Sequence, residues 1–104
     1  MSKVREFFLG SQRRLGVDLT ETAGTDIDLA SGSFVIKDKQ TAATVITGAC
    51  LVSASNDVIY HYPIFTTGSF TADQVYVDYI TATAVIGAAT VVLTHSQAFG
   101  VRSK

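Results

Sequence analysis

The chain is poor in several residue types, and each shortage narrows its class. Of its 104 residues, one is cysteine, one is proline, none is tryptophan, and only 16% are charged. Because Cys50 is the single cysteine, an internal disulfide framework is excluded, which fits synthesis in a reducing compartment. Cys50 lies in an apolar stretch, so it is better explained as a small buried hydrophobic residue than as a nucleophile. No apolar run approaches the ~20 residues of a membrane helix, and the apolar piece near the N-terminus is too short for a signal peptide. We therefore expect no membrane partner and no leader.

Material for one folded core is present. Hydrophobic residues make up 47% of the chain, which is too many for a disordered tail. A domain of this length buries roughly 65% of the surface that its unfolded chain would expose. We therefore expect residues 1–104 to form a single domain.

Charge is distributed unevenly, although the net charge is only -1. Residues 1–16 hold four basic residues against Glu6, residues 17–101 hold two lysines against eight carboxylates, and the last residues are basic again. This distribution suits head-to-tail contacts between identical subunits or docking on an acidic partner, and solvated termini without a role are the alternative. Because the basic residues are few and have no aromatic stripe beside them, we expect no nucleic-acid partner.

Alternating apolar residues and frequent turn signals predict strands along most of the chain. Phe34 and Ile36 fall on one face of a predicted strand, and Phe99 is expected to be a late core residue with Val101. Residues 44–52 carry no charge, which predicts a central strand or a strand pair bent near its glycine. The predicted turns lie at Ala23–Thr25, Ser31–Gly32, Asn56–Asp57, Thr66–Gly68 and Gly87–Ala89.

About eight short strands at regular spacing are typical of a β-sandwich or a small barrel. The basic segment at residues 1–14 is expected to be an N-terminal arm or a lead-in strand. Threonine and serine supply much of the polar face, so the sheets are weakly charged and their edges need partners. This favours an assembly over a free monomer.

Candidate ligand residues are few and their spacing is weak. His61 and His95 lie on different predicted strands and could meet on one face to bind a metal with Asp78, but no ligand spacing supports this. Asp26 and Asp28 point the same way in an extended segment and could form half of a calcium site. Turn capping by short carboxylates explains them better. We therefore predict no metal site.

No catalytic constellation can be argued from residue spacing, and no glycine-rich phosphate loop is present. The sequence therefore predicts a protein that is not an enzyme and binds no cofactor. Tyr60, Tyr62 and Tyr76 could form an aromatic platform for a sugar or a peptide. Cross-strand packing pairs are the commoner role of such residues.

The segment Gly24–Gly32, Gly-Thr-Asp-Ile-Asp-Leu-Ala-Ser-Gly, is followed by the strand Phe34–Asp38. Later come Gly68–Phe70, which opens a strand, and Ala98–Arg102, which closes the chain with basic residues. In this order the sequence resembles a phage tail or baseplate module with an immunoglobulin-like domain, as at the N-terminus of baseplate upper proteins.

The resemblance implies an immunoglobulin-like β-sandwich of about seven to eight antiparallel strands with a basic N-terminal arm. It also implies a structural role in the virion, after synthesis in the host cytoplasm, with no catalytic residues to carry over. The expected partners are other virion subunits, copies of the same chain included. A capsid decoration or head-tail joining protein and a carbohydrate-binding sandwich are the alternatives. The expected assembly contacts are Arg5, Phe7, Phe8, Arg13 and Arg14.

Overall fold

The computed structural model describes residues 5–18, 27–53, 58–86 and 88–103, with the backbone alone at Asp18, Ile27, Asp28 and Ile86. Every regular element in these ranges is a β-strand. The all-β prediction is therefore confirmed. The eight strands are β1 (Arg5–Phe8), β2 (Leu15–Asp18), β3 (Ile27–Asp38), β4 (Thr44–Ala49), β5 (Leu51–Val52), β6 (Val58–His61), β7 (Gln74–Ile86) and β8 (Ala89–Arg102).

The strands form two sheets that pack face to face. The larger sheet has the order β1-β8-β7-β3-β4, and the smaller has the order β2-β6-β5. Ile59 of the smaller sheet reaches the backbone of Gly32 in the larger one. The ring of His61 stacks on that of Phe34 with centroids 3.7 Å apart. The architecture is thus sandwich-like, with the core between the sheets.

One strand pairing departs from the antiparallel prediction. β1 runs parallel to β8, in register from Arg5 opposite Phe99 to Phe8 opposite Arg102, while the other pairings are antiparallel. The prediction of antiparallel strands throughout is therefore wrong at β1, and the larger sheet is mixed. β1 and β8 come from opposite ends of the chain, so no hairpin fixes their relative direction. Within the predicted arm, the residues of β1 form an edge strand.

β3 runs unbroken through Ser31–Gly32, so the turn predicted there is wrong. The register with β7 shifts between Leu29 and Ser31, which leaves Ala30 as an extra residue. Successive side chains of a strand point to opposite faces, and one extra residue reverses that alternation. The bulge therefore puts both Leu29 and Phe34 on the core side, where both are buried.

Gly32 marks a close approach between the sheets. A Cβ at this position would lie 2.9 Å from the carbonyl oxygen of Thr81 and would overlap Cδ1 of Ile59. The Ser31–Gly32 dipeptide is a turn signal in sequence, but here the glycine serves the packing of the two sheets.

The uncharged stretch at residues 44–52 forms a pair of strands, β4 and β5, one in each sheet. The break falls at Cys50, two residues beyond the glycine where the bend was predicted, and β4 is an edge strand rather than a central one. Gly48 remains important because a Cβ there would lie 3.1 Å from the ring of Phe34.

Of the other predicted turns, the one beginning at Thr66 is confirmed, since the Phe70 N–H donates to the Thr66 carbonyl over 2.8 Å. A hairpin joins β7 and β8, with Ile86 paired to Ala89. The turns predicted at Ala23–Thr25 and Asn56–Asp57, together with Asp26, lie outside the described residues.

The predicted core faces are confirmed. Ile36, Phe99 and Val101 have no exposed surface, and Phe34 is buried beside them. An aromatic cluster fills one end of the sandwich. The ring of Phe99 lies 5.6 to 6.4 Å, centroid to centroid, from four others: Phe7, Phe65, Phe70 and Tyr76.

Candidate functional site

The most unusual buried feature is a hydrogen-bonded histidine–aspartate pair between the two sheets. His61 ends β6, and its Nε2 lies 2.8 Å from Oδ2 of Asp78 in β7. Only 2% of His61 and none of Asp78 is exposed. A carboxylate oxygen accepts, so Nε2 is the donor in this contact. Because side chains alternate between the two faces of a strand, both of these polar residues point into the core, where they form a hydrogen bond with each other.

The surroundings of this pair are largely apolar and incompletely hydrogen-bonded. The imidazole stacks flat on Phe34, with 10° between the ring planes. Nδ1 of His61, Oδ1 of Asp78 and Nε2 of Gln97 are buried without a hydrogen-bond partner. Gln97 lies directly opposite Asp78 in the β7–β8 ladder. Because neither side chain reaches the surface, the pair can tie the sheets together but cannot contact a substrate.

His61, His95 and Asp78 were the possible ligands of the metal site that was weighed from the sequence. The structure brings His61 and Asp78 together, but as direct partners. His95 lies in β8 and lines a small apolar gap with Ile80 and Leu93. Among the described residues, no group of three or more His, Cys, Asp or Glu side chains could hold a metal ion.

Cys50 lies at the break between β4 and β5, where its N–H donates to the Gly32 carbonyl over 2.9 Å. Burial raises the pKa of its thiol to about 11, and the negative charge of Asp78 acts in the same direction. The thiol is therefore protonated at neutral pH, and a protonated thiol is a poor nucleophile. Its apolar role fits the interpretation made from the sequence.

The three tyrosines of the proposed platform do not lie together. Tyr60 and Tyr62 make an edge-to-face pair with centroids 5.7 Å apart, and Tyr62 is 50% exposed. Tyr76 is buried in the aromatic cluster, where its hydroxyl accepts the Thr71 N–H over 2.8 Å. A surface formed here would therefore use Tyr60 and Tyr62 without Tyr76.

The five residues expected to make assembly contacts also separate. Phe7 is buried in the aromatic cluster, while its neighbour Phe8 is 49% exposed. Arg5, Arg13 and Arg14 are exposed. Four of the five are therefore available to a partner, and Phe7 belongs to the core.

Apart from the exposed Glu6–Arg102 ion pair at its β1 edge, the outward side of the larger sheet is nearly free of charge among the described side chains. Lys37 is the one charged side chain in the set below, and its ammonium group lies 5.8 Å from the ring centroid of Tyr79. Val92 is 68% exposed and Tyr79 is 41% exposed. We call this surface the outer face. It comprises Ser33, Val35, Lys37, Thr47, Ala49, Val75, Val77, Tyr79, Thr81, Thr83, Val85, Thr90, Val92, Thr94, Ser96 and Ala98.

Sequence reasoning noted the uncharged, threonine-rich strands but did not assemble them into one surface. The signal was present: between Val75 and Val101 the only formally charged residue is Asp78. Asp78 lies two residues from the buried Tyr76 and Ile80, so its side chain points to the same face of β7 as theirs. The opposite face of β7 therefore carries no charge. Identifying this face required the strand order, which alternation alone does not provide.

Comparisons with protein-family models, with curated proteins and with solved structures find no match to this chain. Within the described ranges, no helix is long and apolar enough to cross a membrane.

Proposed function

We propose that this protein is a non-enzymatic structural subunit of a phage or phage-like particle, in the tail or baseplate. Its domain is an immunoglobulin-like sandwich, and it works by protein-protein contact with other virion subunits and with copies of itself. The virion location rests on the likeness of Gly24–Asp38 and the later segments to baseplate modules. The mode of action rests on the outer face.

The outer face is the observation that carries the proposal. The solvent side of a sheet usually carries polar and charged residues, which keep the sheet in solution. Here Val92, Tyr79 and Val75 are exposed among threonines and serines. Charged residues are depleted at the centre of protein interfaces, and tyrosine is enriched there. The scarcity of charge and the exposed Tyr79 on this face therefore fit the centre of an interface.

The size of the outer face also fits a contact between subunits. Four strands spaced by ~4.8 Å and about ten residues long, at ~3.3 Å per residue, cover roughly 500 Å². Two such faces together reach the ~1,000 Å² that a specific interface needs. Because the face has almost no charge, two copies can meet on it without electrostatic repulsion.

The test places charge at the centre of the outer face. Thr81→Lys and Val92→Lys are made together, and Thr67→Lys with Ser69→Lys serves as the control, because both control residues are exposed in a turn away from this face. Size-exclusion chromatography with light scattering measures the oligomer. We expect an oligomer for the unmodified chain and for the control, and a monomer for the outer-face variant. A strict monomer of the unmodified chain at high concentration would contradict the proposal.

A capsid decoration or head-tail joining role would use the same surface at a different place in the particle. Imaging of particles that carry a labelled copy separates the capsid surface from the tail. Carbohydrate binding is a second candidate, and the half-exposed Tyr62 beside Tyr60 is the observation that favours it. A glycan array without hits would remove it.

A further inference from the structure

An open cleft lies where the edges of the two sheets come together. Its lining includes Arg5 of β1, an edge strand of the larger sheet, and Arg14, which directly precedes β2, an edge strand of the smaller one. Gly16, Val17 and Val58 complete the lining. The volume is about 460 Å³, within the range of ~300–1,000 Å³ typical of ligand sites. We call this feature the arginine cleft.

In the described part of the chain, neither guanidinium group in the cleft has an acidic partner. Among the described residues, Arg102 pairs with Glu6 over 3.3 Å, and Arg13 donates to the Gln12 carbonyl over 3.2 Å. Within the described ranges, the side chains of Arg5 and Arg14 form no ion pair and no hydrogen bond. Two positive charges therefore line one concave surface without an ion-pair partner among the side chains that the structure describes.

Aromatic rings support both arginines. The guanidinium carbon of Arg14 lies 4.8 Å from the ring centroid of Tyr60, and that of Arg5 lies 5.1 Å from the ring centroid of Phe7. Phe7 is itself fixed in the core by stacking on Phe65 with centroids 4.9 Å apart. Cation-π contacts restrain long side chains before a ligand arrives, so less conformational entropy is lost on binding.

We propose that the arginine cleft binds the carboxylates of an acidic peptide segment. Guanidinium groups hold carboxylates through paired N–H donors, and two of them in one cleft can grip successive acidic side chains. The outer edges of β1 and β2 flank the cleft, so an extended peptide can also pair with backbone groups there.

The same charge distribution disfavours nucleic acid as the occupant. Affinity for nucleic acid comes from many phosphate contacts, and the cleft offers two arginines. Residues 17–101 carry eight carboxylates against two lysines, which would repel a long polyanion beyond the cleft. A short acidic segment needs only the local positive charge.

This site goes beyond the proposed assembly through the outer face. Alternation in β1 puts Arg5 on the same side as the buried Phe7, so the cleft opens on the inward side of the larger sheet and away from the outer face. Binding at the cleft can therefore be measured whether or not the outer face is an interface, and the two proposals fail separately.

The test uses the intact chain and a fluorescein-labelled hexaglutamate peptide, with fluorescence anisotropy at low and physiological salt. Arg5→Gln and Arg14→Gln are each expected to weaken binding about tenfold or more, the usual effect of losing a charge-assisted hydrogen bond. Arg13→Gln is the matched control, because it removes the same charge from an exposed neighbour outside the cleft lining, and it should change the affinity less than about twofold. Arg14→Lys keeps the charge but loses the paired donors, and should also weaken binding.

Two controls define the ligand. A labelled hexaglutamine peptide should not bind, and glutarate should displace hexaglutamate at lower concentration than inorganic phosphate does. Absence of hexaglutamate binding at millimolar protein would overturn the proposal. So would equal losses in Arg13→Gln and Arg14→Gln, which indicate diffuse attraction, or stronger displacement by phosphate, which would assign the cleft to phosphate groups. Circular dichroism of each variant confirms that the fold is retained, as expected for exposed arginines.

Discussion

At the scale of single residues, the His61–Asp78 pair is a polar contact buried between the two sheets. Both groups lost their hydration on folding, and one hydrogen bond of 2.8 Å compensates. Buried ion pairs add little stability over an apolar pair of similar volume, whereas removal of one partner is costly. The pair therefore acts mainly to specify which faces of β6 and β7 meet.

A double-mutant cycle tests this interpretation. His61→Leu leaves a buried carboxylate without its donor, and Asp78→Leu leaves a buried imidazole without its acceptor. Each single change should lower the free energy of unfolding by ~3–5 kcal/mol, and the double variant should lose much less than the sum. Urea denaturation measures all three. Glu6→Gln, which breaks the exposed pair with Arg102, should cost less than ~1 kcal/mol. Additive losses at His61 and Asp78 would show that the two residues do not act as a unit.

At the scale of elements, β3 decides how the two sheets approach. The bulge at Ala30 reverses its alternation so that two separate apolar patterns, one at Leu29 and one from Phe34 onward, face the same core. Between them Gly32 lets Ile59 of the opposite sheet come close to the backbone. A regular strand of the same sequence would expose one of the two patterns to solvent.

Replacement of Gly32 tests the close approach. Gly32→Ala should lower the free energy of unfolding by ~1–3 kcal/mol, because the new methyl group meets Ile59 and the Thr81 carbonyl in a packed core. Ser33→Ala is the control, since its side chain is exposed on the outer face of the same strand and should cost only a few tenths of a kcal/mol. Removal of the Ile59 Cδ1 atom by Ile59→Val should recover part of the loss in the double variant. Equal effects of Gly32→Ala and Ser33→Ala would contradict the role of Gly32. Thermal and urea unfolding measure the differences.

At the scale of the whole molecule, the aromatic cluster joins the two ends of the chain. Phe7 from the first strand packs on Phe99 from the last and stacks on Phe65 from the connection after Pro63. The parallel pairing of β1 with β8 adds backbone hydrogen bonds along the same line. The N-terminal strand is therefore part of the core, although its one basic side chain, Arg5, remains exposed to partners.

Two adjacent phenylalanines separate the core role of β1 from its surface role. Phe7→Ala should lower the free energy of unfolding by ~3–5 kcal/mol, because it opens a cavity beside Phe65 and Phe99. Phe8→Ala should cost far less, since that ring is 49% exposed on the opposite side of the strand. Urea denaturation of the two variants gives the comparison, and increased binding of a hydrophobic dye should accompany Phe7→Ala alone. Similar stabilities for the two variants would contradict the assignment of Phe7 to the core.

The sequence predicted those features that depend on local alternation. Phe34, Ile36, Phe99 and Val101 were placed in the core because residues two apart on a strand share a face. The number of strands and the all-β class follow from the same short-range rules.

Candidate surfaces were harder to predict because they combine distant strands. Arg5 and Arg14 were named as assembly contacts, but their meeting in one cleft depends on how the edges of β1 and β2 lie together. Tyr60 and Tyr62 were grouped with Tyr76 by composition, and the direction of each side chain separates them. The likeness to baseplate modules could not foresee the parallel pairing of β1.

By itself, the sequence determined an all-β chain with little charge, basic ends and well-defined core residues, because these depend on composition and on a two-residue period. Only the tertiary structure decided that β3 passes through Ser31–Gly32 with a bulge, that His61 meets Asp78, and that the ends of the chain pair in parallel. Such choices are made by contacts between residues far apart in sequence, where the packing of two sheets outweighs local preference.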